Sequence, residues 1–216
     1  MTFRSAVLTK VNTKLNILNL KIPKLKKGQV LVKMDYSSIC QSQIQEIYGG
    51  RNNEKWIPHL MGHEGVGKVI EIGNNVNKFK KGDSVIVTWL KTSGIESDKI
   101  VYRDLKNNKI NAGKATTFNE MAIISENRLI KKNKKIKDKH ASLFGCALPT
   151  GAGLVLSQNK MSINSNIAVI GLGGIGFFSL LTLKYLGFKN ITVIDSFYIS
   201  KNSGYSICSS TNVKKI

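Results

Sequence analysis

Two thiols, one imidazole and one carboxylate stand at turns of this sequence where they could converge on a metal ion. Cys40 lies in "SSICQSQIQEIYGG", after a strand-like run and ahead of a short helical one. His63 and Glu64 lie in "LMGHEGVGKV", just before the next strand-like run, and Cys146 lies in "LFGCALPTGAG". Two thiolates and an imidazole make a soft tetrahedral donor set suited to zinc, with the fourth position open to water, substrate or Glu64. Taken singly, each residue has a plainer reading: a lone cysteine is commonly a small buried hydrophobe, and His63 a turn histidine. The four residues are too dispersed to form a compact zinc motif. Their placement ahead of a glycine turn is what connects them.

That turn sits in "NIAVIGLGGIGFFSLLTLKYLGFKNITVID", Asn166 to Asp195. The apolar run Ile167 to Ile170 predicts a strand and leads into Gly171, Leu172, Gly173, Gly174, Ile175 and Gly176. A helix-length apolar segment follows, then Gly187, then a second β-rich run ending in Asp195. In a dinucleotide-binding βαβ unit the first glycine allows the tight turn, the second lets the backbone approach a pyrophosphate, and the third lets helix and strand pack closely. The phosphates would sit at the helix N-terminus, where N–H groups and the helix dipole favour negative charge. Asp195, 24 residues after Gly171, is placed to bind ribose hydroxyls and to repel a 2′-phosphate, which favours NAD over NADP. The alternative is a glycine turn that only packs a helix on a sheet.

The elements that must position these residues change character along the chain. "RSAVL", "LNILNLKI", "GQVLVKMDYSSI", "GVGKVIEIG" and "DSVIVTW" read as strands, with Val30, Val32, Met34 and Tyr36 on one face of the third. "KFKKGD" reads as a turn, residues 90–117 as a long polar loop, and "FNEMAIISENRLI" as a return to strand. From about Asp138 the pattern turns to helix, glycine, strand and helix. A β-rich domain is thus followed by the start of an α/β domain, with a boundary between about 140 and 160.

Composition bounds the rest. The 216 residues are 42% hydrophobic, enough for a core. No apolar run reaches the roughly 20 residues of a membrane span, and "MTFRSAVLTK" lacks a signal-peptide core, so a soluble, cytoplasmic protein is the expectation. Three scattered cysteines, Cys40, Cys146 and Cys208, argue against a disulfide framework. The formal net charge is +20, from 33 basic and 13 acidic residues. The lysines cluster at Lys24–Lys27, Lys78–Lys81 and Lys131–Lys139, between apolar runs and without stacking aromatics. They read as solvated loops rather than as a nucleic-acid surface.

Taken together, "ICQS", "GHEGVGKV", "KKGDSV", "GCALPTGAG" and "GLGGIG" with Asp195 occur in an order and spacing that resembles the zinc-dependent alcohol dehydrogenases of the medium-chain dehydrogenase/reductase superfamily. The match covers residues 1 to about 195. The resemblance implies an α/β plus β fold: a GroES-like β-barrel catalytic domain over 1–145, then an incomplete Rossmann domain over 146–216, with one catalytic zinc in the cleft between them. Cys40, His63 and Cys146 map onto the zinc ligands, and Glu64 onto the glutamate beside the histidine. Ser42 matches the hydroxyl that takes the alcohol proton, and Thr150 a residue near the nicotinamide. The implied reaction passes a hydride between a small alcohol or carbonyl compound and NAD, with no nucleic-acid or membrane partner; full-length relatives form homo-oligomers.

The sequence departs from that pattern in three places. No cysteine lies between Cys40 and Cys146, so a second, structural zinc is not expected. Gln43 stands where many relatives carry an acid that orients the zinc histidine, and Gln45 replaces a histidine of a longer proton relay. After Asp195 comes "SFYISKNSGYSICSSTNVKKI", without helical period. The tail 196–216 reads as disordered, or as out-of-frame translation of a longer gene. The expectation is a C-terminally truncated chain with little or no dehydrogenase activity; the alternatives are a non-catalytic zinc-binding remnant and a basic nucleic-acid-binding protein.

Overall fold

Short runs of Val, Ile and Leu separated by Gly, Asn and Asp turns fold as a chain of short strands, in a computed structural model that describes residues 1–51, 54–158 and 161–195. The chain divides into two compact units, with the division between Cys146 and Ala147. In the first unit the order is β1 (Thr2–Leu8), β2 (Asn16–Lys21), β3 (Gln29–Ser37), α1 (Gln41–Ile47), β4 (His59–Leu60) and β5 (Gly65–Ile72). Then come β6 (Ser84–Val87), β7 (Val101–Asp104), β8 (Lys109–Asn111), β9 (Met121–Ser125), β10 (Leu129–Lys131) and α2 (Asp138–Ala141). Strands β1, β2, β7, β8 and β4 close into a barrel, and β10, β6, β5, β3 and β9 form a five-stranded sheet in that order.

Strand β3 is the wall shared by two cores. Leu31 joins Phe3, Val7, Leu20, Tyr102 and Ile110 in one cluster, while Val30 and Val32 join Val69, Val85, Val87 and Ile124 in the other. The single-face alternation expected of β3 therefore holds only in part: its first four residues are all buried, and Tyr36 is exposed. Each such buried aliphatic side chain contributes about 1.5–3 kcal/mol relative to exposure. Bulges between Leu31 and Val32 and between Met34 and Tyr36 break the pairing with β5, which bends the strand between the two cores.

The loop expected over residues 90–117 is corrected: it carries β7 and β8, both part of the closed barrel. With four and three residues, they are too short for alternation to show. Each buries one large apolar residue, Tyr102 or Ile110. The Tyr102 hydroxyl accepts the Ile123 N–H at 2.8 Å, and burial pushes its pKa above the ordinary value. Carboxylates hold the start of this lobe. Glu126 accepts the N–H groups of Asn77, Lys78 and Ile95, and Glu96 pairs with Lys91, Lys114 and Arg128 at 3.1, 3.9 and 3.3 Å. Nor is the lysine run at 131–139 wholly solvated: the Lys132 side chain is buried and pairs with Asp138 at 2.9 Å.

The second unit, as far as it is described, holds α3 (Ala147–Leu156), β11 (Ile167–Ile170), α4 (Gly174–Tyr185) and β12 (Ile191–Ile194). Strands β11 and β12 pair in parallel, from Ile167 with Ile191 to Ile170 with Ile194. Helix α4 ends at Gly187, whose φ of +86° suits a residue without Cβ, and Phe188 N–H closes on Leu183 O at 3.1 Å. Val155, Val169, Leu180, Leu183, Ile191 and Val193 form the core. Gly151 lets α3 touch α4, since a Cβ there would stand 2.4 Å from Ile175 O. Among the described residues one face of β11 is uncovered, with Ile170 78% exposed. No helix among them is long and apolar enough to cross a membrane. The expectations for the tail, and for Cys208, lie outside the described residues.

Candidate metal centre

Cys40 ends the connection from β3 and stands at the N-cap of α1, with φ −101° and ψ 147°. Its side chain makes no capping hydrogen bond, so the helix does not claim the thiol. Ser42 follows two residues later on α1 and is partly buried.

His63 is held by the turn between β4 and β5. Gly62 has φ +84°, and a Cβ there would meet Thr117 Oγ1 at 2.4 Å and Phe118 N at 2.8 Å; only glycine fits. The Thr117 and Phe118 N–H groups both donate to Met61 O at 3.1 Å. On the other side of the histidine, Glu64 O accepts the Ser37 and Thr117 hydroxyls at 3.1 and 3.0 Å. Burial, then the positive charge of Arg51, lowers the pKa of His63, so the ring is kept neutral and able to offer a lone pair.

Cys146 closes the first unit. Helix α2 and the residues after it pack on β5 and β6 through Ala141, Val66, Ile86 and Phe144. Gly145 passes so close to β6 that a Cβ would lie 2.1 Å from Val87 O, and its own carbonyl accepts the Thr88 hydroxyl at 2.6 Å. The Cys146 N–H donates to Glu64 Oε2 at 2.8 Å.

These three anchors bring one ligand atom each of Cys40, His63 and Cys146 within 4.8 Å of one another, all half-buried. In a tetrahedral site with Zn–S of about 2.3 Å and Zn–N of about 2.0–2.1 Å, such atoms stand about 3.5–3.8 Å apart, so closing on an ion needs at most about 1.3 Å. Two sulfurs and a ring nitrogen fit zinc by softness and number. Glu64 lies outside this group of three, and its carboxylate accepts the Cys146 N–H beside them.

The glycine turn stands in the second unit. Gly171 has φ +85°, and at Gly176 a Cβ would collide with Gly171 O at 1.8 Å. Gly173 differs: nothing lies within 4 Å of its Cβ position, so the missing atom leaves open space where a pyrophosphate could approach. Leu172 N–H donates to Asp195 Oδ2 at 2.5 Å, and Gly171 N–H to Ile194 O at 2.7 Å. Gly174, Ile175 and Gly176 form the first turn of α4, whose N–H groups have no acceptor inside the helix. Thr150 lies in α3, partly buried.

With this geometry in place, residues 26–134, half of the chain, match the model of the alcohol dehydrogenase GroES-like domain. The chain belongs to that family. Among curated relatives, the GroES-like chain is 28% identical over 240 residues to the S-(hydroxymethyl)glutathione dehydrogenase of Synechocystis sp., covering 96% of this chain and 64% of the relative. Its fold is shared with an alcohol dehydrogenase zinc-binding domain protein from Burkholderia ambifaria, at TM-score 0.79 and 21% identity over 90% of this chain and 58% of that one. Benzyl alcohol dehydrogenase from Acinetobacter calcoaceticus follows at TM-score 0.76 and 23% identity, covering 90% and 59%. The family member described here thus spans less than two thirds of the length of that curated relative.

Sequence reasoning singled out Gln43 and missed Glu46. Gln43, buried on α1, binds both Gly62 and His63, and Glu46 on the same helix faces His59 of β4 at 3.4 Å. The signal for the first was its place three positions after Cys40; nothing local signals the second.

Proposed function

We propose that this chain is a zinc-dependent oxidoreductase that passes a hydride between a small alcohol or carbonyl compound and NAD. The observation that carries the reading is the convergence within 4.8 Å of one ligand atom each of Cys40, His63 and Cys146, three positions scattered between residues 40 and 146. When bound, zinc supplies a Lewis acid for the substrate oxygen and NAD the hydride acceptor or donor. The protein's own groups do the rest. Cys40 and Cys146 offer thiolates and His63 a ring nitrogen, with the fourth position left to water or substrate. Ser42, one helical position past Gln41, carries the alcohol proton away. Gly173 admits the pyrophosphate, the opening turn of α4 offers it N–H donors, and Asp195 takes the ribose hydroxyls while excluding a 2′-phosphate. Asp195 already accepts from Leu172, so the same contact orders the turn and aims the carboxylate.

Incubation of zinc-loaded protein with NAD and carbon-deuterated alcohols should give zinc-dependent appearance of deuterium on the nicotinamide. Absence of transfer in protein that demonstrably binds zinc and NAD would contradict the reaction assigned.

A further inference from the structure

Gln43 is 5% exposed and its amide is wedged between a backbone donor and a ligand histidine. Oε1 accepts the Gly62 N–H at 2.5 Å, and Nε2 lies 3.0 Å from His63 Nδ1. A primary amide has an acceptor end and a donor end, and the two cannot exchange roles. The Gly62 N–H is a donor under all conditions, so it claims the oxygen. The NH2 end is left facing the ring, and that contact is a hydrogen bond only if Nδ1 carries a lone pair.

We propose that Gln43 is a positioning residue that selects the His63 tautomer protonated on Nε2, and that it thereby restrains metal loading at this site. The proposal rests on the zinc reading for its consequence but not for its first half. With Nδ1 turned to Gln43, Nε2 is the ring nitrogen left for the Cys40–Cys146 cluster. A neutral imidazole that ligates through Nε2 keeps its proton on Nδ1. Two donors, Gly62 N–H and Nδ1–H, then face one amide oxygen, and the amide NH2 opposes one of them. Loading therefore breaks one buried hydrogen bond or forces the amide to turn. A carboxylate of the same length would present an oxygen to each donor. Glutamine at this position thus makes the site exchange its metal more readily than a carboxylate would.

The test has two arms. Nitrogen-15 NMR of the metal-free wild-type protein reads the protonation of each ring nitrogen of His63 directly. The expected result is an unprotonated Nδ1 and a protonated Nε2; a protonated Nδ1 overturns the proposal, whether or not the protein binds zinc. In the second arm, chelator-competition titrations compare zinc affinity in the wild type and Gln43→Glu. Second-shell partners of ligating histidines commonly change metal affinity about 10–100-fold, and Gln43→Glu is expected to tighten binding by about 10-fold or more. Equal or weaker binding by a folded Gln43→Glu overturns the restraint. A failure of both proteins to take up zinc would contradict the metal site itself and leave the NMR arm to decide the role of Gln43. If Gln43→Glu does not fold, the NMR arm likewise decides.

Discussion

The metal cluster and the glycine turn are built in opposite ways. Cys40, His63 and Cys146 come from three separate connections, and the last two are fixed by contacts from far along the chain: Glu64 to Cys146, Thr88 to Gly145, Thr117 to the His63 turn. The glycine turn is made by 29 consecutive residues, Ile167 to Asp195, and its closing contact is between that segment's own Leu172 and Asp195. The first site therefore requires the whole first unit to fold; the second requires only a β–α–β segment and its helix packing. One is an outcome of tertiary structure, the other of local sequence.

The largest effect should come from the ligands. Cys146→Ser or His63→Ala is expected to lower zinc affinity by more than the roughly 100-fold upper range of a second-shell change, with the circular dichroism of the protein unchanged; isothermal titration and far-ultraviolet spectra check the two halves. Next, the two glycines of the turn should separate packing from binding. Gly176→Ala forces a Cβ onto Gly171 O and should cost the second unit at least the roughly 1–3 kcal/mol of an overpacked contact. Gly173→Ala meets open space, so it should weaken NAD binding about tenfold without a matching shift in thermal midpoint. Equal thermal losses for both variants would show that the turn is only structural. Glu64→Ala should leave the Cys146 N–H without its carboxylate partner, at about 1–3 kcal/mol, and weaken zinc binding as well, joining fold and site in the first unit.

The smallest effect concerns acid. Burial alone would raise the Glu96 carboxyl, but hydrogen bonds from Lys91 and Asn127 and the charge of Arg128 outweigh it and hold the pKa at about 2, below the ordinary 4.5. Because the unfolded chain takes up this proton first as pH falls, the stabilisation is complete above about 4.5 and is lost on the way down to about 2. Glu96→Gln should therefore flatten the pH dependence of stability in that window. An unchanged acid limb in urea-unfolding midpoints would show that Glu96 does not hold the lobe.

The same contrast explains what was legible. The turn could be read down to individual glycines, because each answers to a local constraint: positive φ at 171, close packing at 176, open space at 173. The three candidate ligands could be picked out only once their order matched a family pattern; taken alone, a cysteine or a histidine carries no sign of what lies opposite it. Strands β7 and β8 were hidden because three or four residues cannot show alternation, and their places in the barrel are set by pairing with β2 and β4. The contact of Glu64 with the Cys146 backbone spans 82 residues, so no local pattern could show it.

The most direct measurement is the absorption spectrum of the protein titrated with cobalt(II), a spectroscopic stand-in for zinc. Convergence of two thiolates and one imidazole predicts sulfur-to-cobalt charge-transfer bands that saturate at one equivalent, weaken in Cys40→Ser and in Cys146→Ser, and vanish when both are replaced. Bands that persist in the double variant, or that never appear in folded wild-type protein, would contradict a shared site.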